Sequence, residues 1–282
     1  MIAHTTIASL RAALLPLRRA GKSIGLVPTM GYLHVGHMEL VKSSKAHCDI
    51  TVVTIFVNPT QFAAGEDLST YPRDLERDLA MLKAEGADFV FTPDVPEMYP
   101  GNAETIVETV KLSKVLMGKI RPGHFRGVAT ICTKLFNIAS PDNAFFGEKD
   151  FQQVAVIKRM VADLNQPLEI VAVPTVREPD GLACSSRNVR LTPDDRKAAV
   201  VLSISLNRAG ELIAGGERSI AAIRKSVRNT LKTEPRALIE AVDVRDAGTL
   251  KPVFGLFLKP IVMLLTVKFG SVRLIDNRVF VP

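Results

Sequence analysis

Two histidines, His34 and His37, are the residues of this sequence best suited to chemistry. They follow an apolar segment that ends in Pro-Thr-Met-Gly at 28–31, and an amphipathic stretch comes next, so the local order is strand, turn and helix. A helix N-terminus offers unpaired backbone N–H groups and the positive end of its dipole to an anion. Two imidazoles three positions apart can face the same way there and donate hydrogen bonds to a phosphate whose charge grows in a transition state. The pattern therefore predicts a nucleotide-binding site.

A His-x-Gly-His sequence is also typical of a solvated turn or of an isolated pair of metal ligands. Zinc would need a third protein ligand, and the other histidines have no ligand-like spacing. These are His4, His47 and His124. The position between a predicted strand and a predicted helix favours nucleotide binding over both alternatives.

Two more polar segments follow predicted strands. The segment 58–62, Asn-Pro-Thr-Gln-Phe, offers carboxamides that can bind a substrate hydroxyl or carboxylate, although Asn-Pro is also a turn signal. The segment 147–153 opens a predicted helix, and its Lys149 is a compact cation suited to a phosphate. Asp150 is a natural N-cap, and capping alone could explain its presence.

Two loops carry arginine beside small residues. The loop 184–188, Cys-Ser-Ser-Arg-Asn, combines hydroxyls, backbone N–H groups and a guanidinium, which together can clamp a triphosphate. A Ser-rich loop with Arg187 paired to an acidic neighbour is the alternative. The loop 121–127 concentrates two arginines and a histidine around glycines, and it is either an anion loop or a basic turn.

Short apolar runs alternate with helical patterns in the first part of the chain. Strands are predicted at 24–27, 50–57, 88–91, 144–146 and 168–173, and helices from Leu75 to Gly86, around 128–138 and over about 151–164. This alternation predicts an α/β fold with a doubly wound, Rossmann-like parallel sheet, in which ligands bind at the carboxyl ends of the strands. The long connection 92–125 is expected to hold a substructure that covers the site.

The pattern changes near Val176. Two helices, 193–214 and 219–232, precede strands at 237–244, 261–269 and 272–275. We therefore predict a nucleotide-binding domain over 1–176 and a smaller C-terminal α+β lid domain over 177–282.

Composition excludes several classes of protein. The three cysteines are widely spaced, which predicts no disulfide framework and fits a reducing cytoplasm. The start lacks the features of a signal peptide, and no apolar run reaches membrane-spanning length. The net charge of +7 is compatible with a non-catalytic RNA-binding module, but the basic residues are scattered, and there are no tryptophans and only three tyrosines for base stacking. We expect neither a nucleic-acid nor a membrane partner.

Together these segments resemble the pantothenate synthetase (pantoate–β-alanine ligase) family, an adenylate-forming group with a HIGH-type nucleotidyltransferase fold. The resemblance rests on 28–37, 56–62, 67–68, 71–73, 97–100, 121–128, 147–153, 185–188 and 273–277, in order over nearly the whole chain. One departure is Cys184, where the family usually has Met or Leu before Ser-Ser-Arg-Asn.

The resemblance implies an AMP-forming ligase of pantothenate biosynthesis that condenses (R)-pantoate with β-alanine through a pantoyl adenylate. It implies that His37, His34 and Lys149 are catalytic, and that Gln61 and Gln153 hold pantoate, with Gln61 also near β-alanine. The implied ATP-binding residues are Met30, Gly31, Tyr32, Leu33, His34, Val35, Gly36, His37, Gly147, Glu148, Lys149, Asp150, Val176, Cys184, Ser185, Ser186 and Arg187. Mg²⁺ would be held mainly by phosphate oxygens and water, so no protein metal ligand is named. A homodimer is also implied.

A nucleotidylyltransferase with the same fold is the nearest alternative. Such an enzyme would transfer AMP or CMP to a phosphate acceptor and stop there, so it needs cations at the acceptor position. Gln61 and Gln153 are neutral, which favours a hydroxy acid.

Overall fold

The computed structural model describes residues 1–63 and 65–282. The chain forms two compact units, Met1–Pro174 and Thr175–Pro282. The division therefore falls after Pro174, whereas the sequence pattern suggested a boundary after Val176.

A six-stranded parallel sheet forms the centre of the first unit and confirms the predicted doubly wound architecture. Its strands are β1 (Ile2–His4), β2 (Ile24–Thr29), β3 (Ile50–Ile55), β4 (Phe89–Phe91), β5 (Asn143–Gly147) and β6 (Glu169–Val173). The order is β1-β4-β3-β2-β5-β6. From β2 the chain proceeds outward through β3 and β4 on one side and later through β5 and β6 on the other. The topological switch point, where such sheets bind ligands, therefore lies between the carboxyl ends of β2 and β5.

Helices cover both faces of this sheet. They are α1 (Ile7–Arg19), α2 (Val35–His47), α3 (Leu75–Glu85), α4 (Val95–Met98), α5 (Met117–Ile120), α6 (His124–Ala139) and α7 (Phe151–Asp163). Alternate residues of β2 show the two faces, since Leu26 packs in one core with α1, α6 and α7 and Val27 packs in another with α2 and α3. Because the strands are parallel, the loops that follow them all leave from the same edge of the sheet.

The first strand and the first helix were not predicted from the sequence. β1 is only three residues long, and α1 contains Pro16, which usually signals the end of a helix. The helix forms nevertheless, because Thr6 caps its start and Leu10 and Leu14 are buried in the core. The long connection 92–125 contains the short helices α4 and α5 and a 3₁₀ turn at Leu112–Lys114.

The second unit combines three helices with an antiparallel sheet and confirms the predicted smaller α+β domain. Its elements are α8 (Pro193–Ala198), α9 (Val201–Ala214), α10 (Ile220–Lys232), β7 (Leu238–Asp246), β8 (Ile261–Phe269) and β9 (Val272–Phe280), with sheet order β7-β8-β9.

Two predicted elements of this unit had the wrong extent. The helix predicted over 193–214 divides into α8 and α9, because the N–H groups of Val200 and Leu202 bond to carbonyls three residues back, which tightens the turn between them. β9 does not end at Ile275 but continues to Phe280. Asp276, the first residue beyond the predicted strand, is buried and accepts two hydrogen bonds from Arg177 at 2.7 and 2.8 Å, so its charge is paired inside the strand.

Across the described residues, no helix has the length and apolar character that a membrane span requires.

Candidate active site

The loop after β2 makes a sharp turn into α2. Gly31 and Tyr32 both lie in the left-handed region, with φ of 80° and 50°, and a tyrosine there is uncommon. A Cβ at Gly31 would lie 2.9 Å from Ile55 Cγ2 and 3.1 Å from Asp78 Oδ2, so the position requires glycine. His34 then returns to extended backbone and caps the helix.

A buried aspartate from a distant helix holds this loop in place. Asp78 of α3 accepts the Tyr32 N–H at Oδ2 and the Leu33 N–H at Oδ1, both at 2.7 Å. Its neighbour Arg77 donates to the Leu33 carbonyl at 3.0 Å, and its guanidinium lies 5.2 Å from the centre of the Tyr32 ring. Burial raises the pKa of the Asp78 carboxyl, and the two hydrogen bonds oppose that shift. The loop is therefore braced by a carboxylate whose burial is itself unfavourable.

Asp78 and Arg77 were not predicted from the sequence. A signal was present, because Asp78 lies four residues before the buried Leu82 and so occupies the apolar face of α3, where an unpaired carboxylate is costly. The partner lies 45 residues away in the chain, and no local pattern connects the two segments.

The two histidines hydrogen-bond the start of α2 through the same ring atom. His34 Nδ1 accepts the Gly36 N–H at 3.1 Å, and His37 Nδ1 accepts the His34 N–H at 3.3 Å. The ring centroids are 4.0 Å apart. Because each Nδ1 accepts a hydrogen bond, the neutral form of each ring carries its proton on Nε2. The helix start thus presents two Nε2–H donors side by side.

His37 is held in its neutral form. Its pKa lies well below the ordinary histidine value, first because of burial and then because of the nearby His34 and Lys149. A lowered pKa means that the ring stays uncharged as the pH falls through the range where histidines usually protonate. His37 is therefore suited to act as a fixed hydrogen-bond donor rather than as an acid that gives up a proton.

Lys149 reaches this pair from the other side of the switch point. β5 ends at Gly147, a 3₁₀ turn spans Glu148–Asp150, and α7 begins at Phe151. The Lys149 amine lies 3.8 Å from an oxygen of Asp150 and close enough to His37 to lower its pKa. The side chain of Asp150 occupies the N-cap position of α7 but makes no capping hydrogen bond. The capping explanation of Asp150 is therefore wrong.

The turn after β3 is braced internally by Asn58. The residue is 1% exposed, and its Nδ2 donates to Gln61 Oε1 at 3.0 Å and to the Gly127 carbonyl at 3.2 Å. Its Oδ1 accepts from the hydroxyls of Thr60 and Tyr99, both at 2.9 Å. Since both ends of the Asn58 amide are engaged, its role in the structure is to shape the turn.

Gln61 is oriented by this brace. Its Oε1 accepts from Asn58, so its Nε2 is the end not held by Asn58, and it lies 2.9 Å from the sulfur of Met30. A thioether is a weak acceptor, and a stronger one, such as a carboxylate or hydroxyl oxygen, can take its place. Gln61 is thus positioned as a donor beside the loop that precedes His34.

Gln152 and Gln153 on α7 have different environments. Gln152 is buried, accepts the Met117 N–H at 3.0 Å and donates to the Leu112 and Val115 carbonyls at 3.0 and 2.7 Å. It therefore anchors the long connection to the first turn of α7. Gln153 is half-buried in the same turn, about 100° around the helix from Gln152.

In the predicted loop 121–127, residues 121–123 form a turn and residues 124–127 are the first turn of α6, and the main cation of this segment is already paired. Arg121 makes two hydrogen bonds to the Glu66 carboxylate, Nε to Oε1 at 2.7 Å and Nη2 to Oε2 at 2.6 Å. Arg126 is exposed. Of the two interpretations that the sequence left open, the structure supports the basic turn.

In the second unit, the predicted nucleotide residues lie on a hairpin-like loop. The Cys184 N–H donates to the Val176 carbonyl at 2.9 Å, so these two residues lie opposite each other. The Ser185 hydroxyl accepts the Arg187 N–H at 3.3 Å, and Asn188 ties the loop to the carbonyl of Ala183 at 3.1 Å. Cys184 is buried, which is compatible with its occupying a small apolar position.

Comparison with known proteins gives one consistent result. The family model described as pantoate-beta-alanine ligase matches residues 2–279. A pantothenate synthetase of Rhizobium meliloti is 56% identical over 278 residues, which is 99% of this chain and 96% of the relative. The crystal structure of a Thermus thermophilus pantothenate synthetase is 43% identical, has a TM-score of 0.94 and covers 99% of both chains. A Francisella tularensis pantoate-beta-alanine ligase, solved with beta-gamma ATP and beta-alanine, is 33% identical with a TM-score of 0.79 over 100% of this chain and 97% of its own.

Proposed function

The chain belongs to the pantoate–β-alanine ligase family, and we propose that it makes pantothenate in two steps through a pantoyl adenylate. In the first step a carboxylate oxygen of (R)-pantoate attacks the α-phosphorus of ATP, and pyrophosphate leaves. In the second step the neutral amine of β-alanine attacks the acyl carbon of the adenylate. AMP leaves with the C–O bonding electrons, and the amine loses a proton.

The position of the His34–His37 pair and Lys149 carries this proposal. The first step brings an anionic nucleophile to a polyanionic phosphate, so the site must offset negative charge at the α-phosphate. The loops after β2 and β5 meet at the switch point of the sheet, and they deliver two Nε2–H donors and a cation there. The N-terminus of α2 adds the positive end of its helix dipole.

Gln61 and Gln153 are assigned to pantoate. Both lie in the same unit as the histidines, and Asn58 fixes Gln61 as a donor. A neutral donor suits the hydroxyl and carboxylate oxygens of a hydroxy acid. A phosphate acceptor would call for cations at these positions, which argues against the nucleotidylyltransferase alternative.

Further nucleotide contacts are assigned by family resemblance. Met30 to His37 and Gly147 to Asp150 line the switch point, Val176 would contact adenine through its backbone, and Cys184 to Arg187 would hold the triphosphate. Mg²⁺ would neutralise phosphate charge. In residues 1–63 and 65–282 no group of three or more His, Cys, Asp or Glu side chains is arranged to hold a metal ion. A homodimer in the cytoplasm completes the proposal.

Pyrophosphate release tests this function. The purified protein is given ATP and pantoate, and β-alanine is added later. We expect a burst of about one pyrophosphate per active site with pantoate alone, followed by continuous turnover to AMP and pantothenate once β-alanine is present. Continuous release without any amine, with nucleotide transferred to a phosphate acceptor, would support the nucleotidylyltransferase instead.

We predict that Asp78→Asn lowers kcat/KM for ATP by between about 10- and 100-fold, because a displaced binding loop misplaces the reacting groups. Asparagine offers one acceptor oxygen where Asp78 offers two, so either Tyr32 or Leu33 would face an amide NH₂ with its own N–H. Steady-state kinetics with varied ATP measure the effect.

Asp74→Asn is the matched control on the same helix. Asp74 caps α3 by accepting the Arg77 N–H at 3.1 Å, and asparagine is an equally good N-cap. Its ATP kinetics should match those of the wild type. Equal kinetics for the two variants would show that the Asp78 contacts do not set the loop for ATP.

A further inference from the structure

We propose that Glu66, Arg121 and His124 form a clamp on the backbone of Gln61, and that this clamp sets the affinity of the enzyme for pantoate. The inference rests on the proposed role of Gln61 in binding pantoate. The three residues are positioning residues, because they act through Gln61 rather than by touching the substrate. We call them the Gln61 clamp.

The carbonyl of Gln61 is the target of the clamp. It accepts a hydrogen bond from His124 Nδ1 at 2.8 Å and a longer one from Arg121 Nη2 at 3.3 Å. The side chain of the same residue is held by Asn58. Gln61 is therefore fixed at its backbone from one side and at its amide from the other, which leaves its Nε2 a single direction.

The partners of His124 determine its protonation. Nδ1 faces a carbonyl, which can only accept, so Nδ1 carries the proton. Nε2 lies 3.3 Å from Arg121 Nη1, which can only donate, so Nε2 presents its lone pair. Burial and then the charge of Arg121 lower the pKa of His124 to about 4, in agreement with a neutral ring. His124 Nδ1 is therefore a donor, His124 Nε2 an acceptor and Arg121 Nη1 a donor.

Glu66 fixes the arginine. Its carboxylate pairs with Arg121 through two hydrogen bonds, and the side chains of Arg121 and Glu66 are only 13% and 19% exposed, so the pair is shielded from solvent. Glu66 also accepts the Ala63 N–H at 3.2 Å. The clamp therefore ties the chain that follows Gln61 to the start of α6.

Backbone packing makes the turn sensitive to this clamp. A Cβ at Gly127 would lie 2.4 Å from the Thr60 carbonyl oxygen and 2.6 Å from Gln61 Cα. The first turn of α6 therefore lies directly against the Gln61 backbone, with no side chain between them. A change in how α6 holds this carbonyl is transmitted to Gln61 without a flexible intermediary.

The test compares His124→Leu with His124→Asn. Leucine fills the space without a donor, whereas the Nδ2 of asparagine can take the place of Nδ1 and donate to the same carbonyl. We expect His124→Leu to raise KM for pantoate by about 10-fold or more while KM for ATP stays within about twofold of the wild type. His124→Asn should restore most of the pantoate affinity. Arg126→Ala, an exposed change in the same turn, is the control and should resemble the wild type.

Glu66→Gln provides a second route if His124→Leu folds poorly. It retains the shape of the side chain and removes its charge, so Arg121 is held less firmly and KM for pantoate should rise, by less than in the leucine variant. Equal changes in KM for pantoate and KM for ATP would show that His124 only fills space. The same conclusion would follow if the asparagine and leucine variants did not differ, and in either case the proposed clamp would be wrong.

Gln61→Ala separates this proposal from the one on which it rests. If Gln61→Ala raises KM for pantoate and His124→Leu does not, Gln61 binds the substrate but the clamp does not set its position. If Gln61→Ala leaves KM for pantoate unchanged, the assignment of Gln61 to pantoate is wrong, and the clamp falls with it even if His124→Leu has an effect.

Discussion

His37→Ala should lower the rate of adenylate formation by about 100-fold or more, the scale for loss of one preorganised donor at a developing negative charge. The ring presents its Nε2–H because Nδ1 accepts the His34 N–H. Alanine removes the donor and also leaves that N–H without its partner. The measurement is a single-turnover experiment with ATP and pantoate, in which pyrophosphate formation is followed by rapid quench.

His47→Ala is the matched control. It is the same substitution on the same helix, but His47 lies exposed at the opposite end of α2, where its ring contacts the Ser43 carbonyl. Adenylate formation should be close to the wild-type rate. Circular dichroism should show that both variants are folded. A His37→Ala enzyme as active as the His47→Ala control would contradict the catalytic assignment.

The pH dependence of the wild type follows from the same geometry. Because the pKa of His37 is lowered below 6.5, its neutral donor form persists as the pH falls through that value. The rate of adenylate formation should therefore show no loss from His37 protonation near pH 6.5. A single-turnover rate that drops there in the wild type, and not in His37→Ala, would show that His37 titrates as an ordinary histidine.

The analogue of pantoate that lacks the 2-hydroxyl should be a poor substrate, by a factor on the order of 10³ or more in kcat/KM. A site built to hydrogen-bond a hydroxyl rejects the analogue strongly, because its buried polar groups are then left unpaired. Gln61 meets this condition, since the residue is 7% exposed and its side chain is already oriented by Asn58.

Truncating either glutamine should reduce this discrimination. Gln61→Ala and Gln153→Ala each remove a polar group that the analogue would leave unpaired. The value of kcat/KM should therefore fall much more for pantoate than for the analogue, and KM for ATP should change little. The measurement is kcat/KM for both acids with all three enzymes. An unchanged ratio of the two acids would mean that neither glutamine contacts the hydroxyl.

Local pattern was sufficient to predict the architecture, because the periodicity of a strand or helix is a property of neighbouring residues. The nearly continuous apolar run of β3 and the strand–turn–helix context of His34 both led to the observed elements. Where local signals conflicted with burial, the prediction failed. The helix α1, which contains Pro16, was not predicted, and the predicted last strand stopped one residue before Asp276, although tertiary contacts stabilise both.

Contacts between segments far apart in the chain could not be predicted from the sequence. Nothing near His34 indicates that Asp78 braces its loop, and nothing near Arg121 indicates that Glu66, 55 positions away, neutralises it. The sequence could identify which residue types suit a phosphate or a hydroxy acid. It could not show which of them are already engaged within the protein, as Asn58 and Arg121 are.

The central claim, that the pantoate carboxylate attacks the α-phosphorus of ATP, can be tested by isotope transfer. Pantoate labelled with ¹⁸O in both carboxylate oxygens is incubated with the enzyme, ATP and β-alanine, and the products are analysed by mass spectrometry. Attack at the α-phosphorus followed by aminolysis predicts AMP that carries one ¹⁸O and pantothenate that retains the other in its new amide carbonyl. Unlabelled AMP, or ADP with ¹⁸O in inorganic phosphate, would contradict the adenylate mechanism.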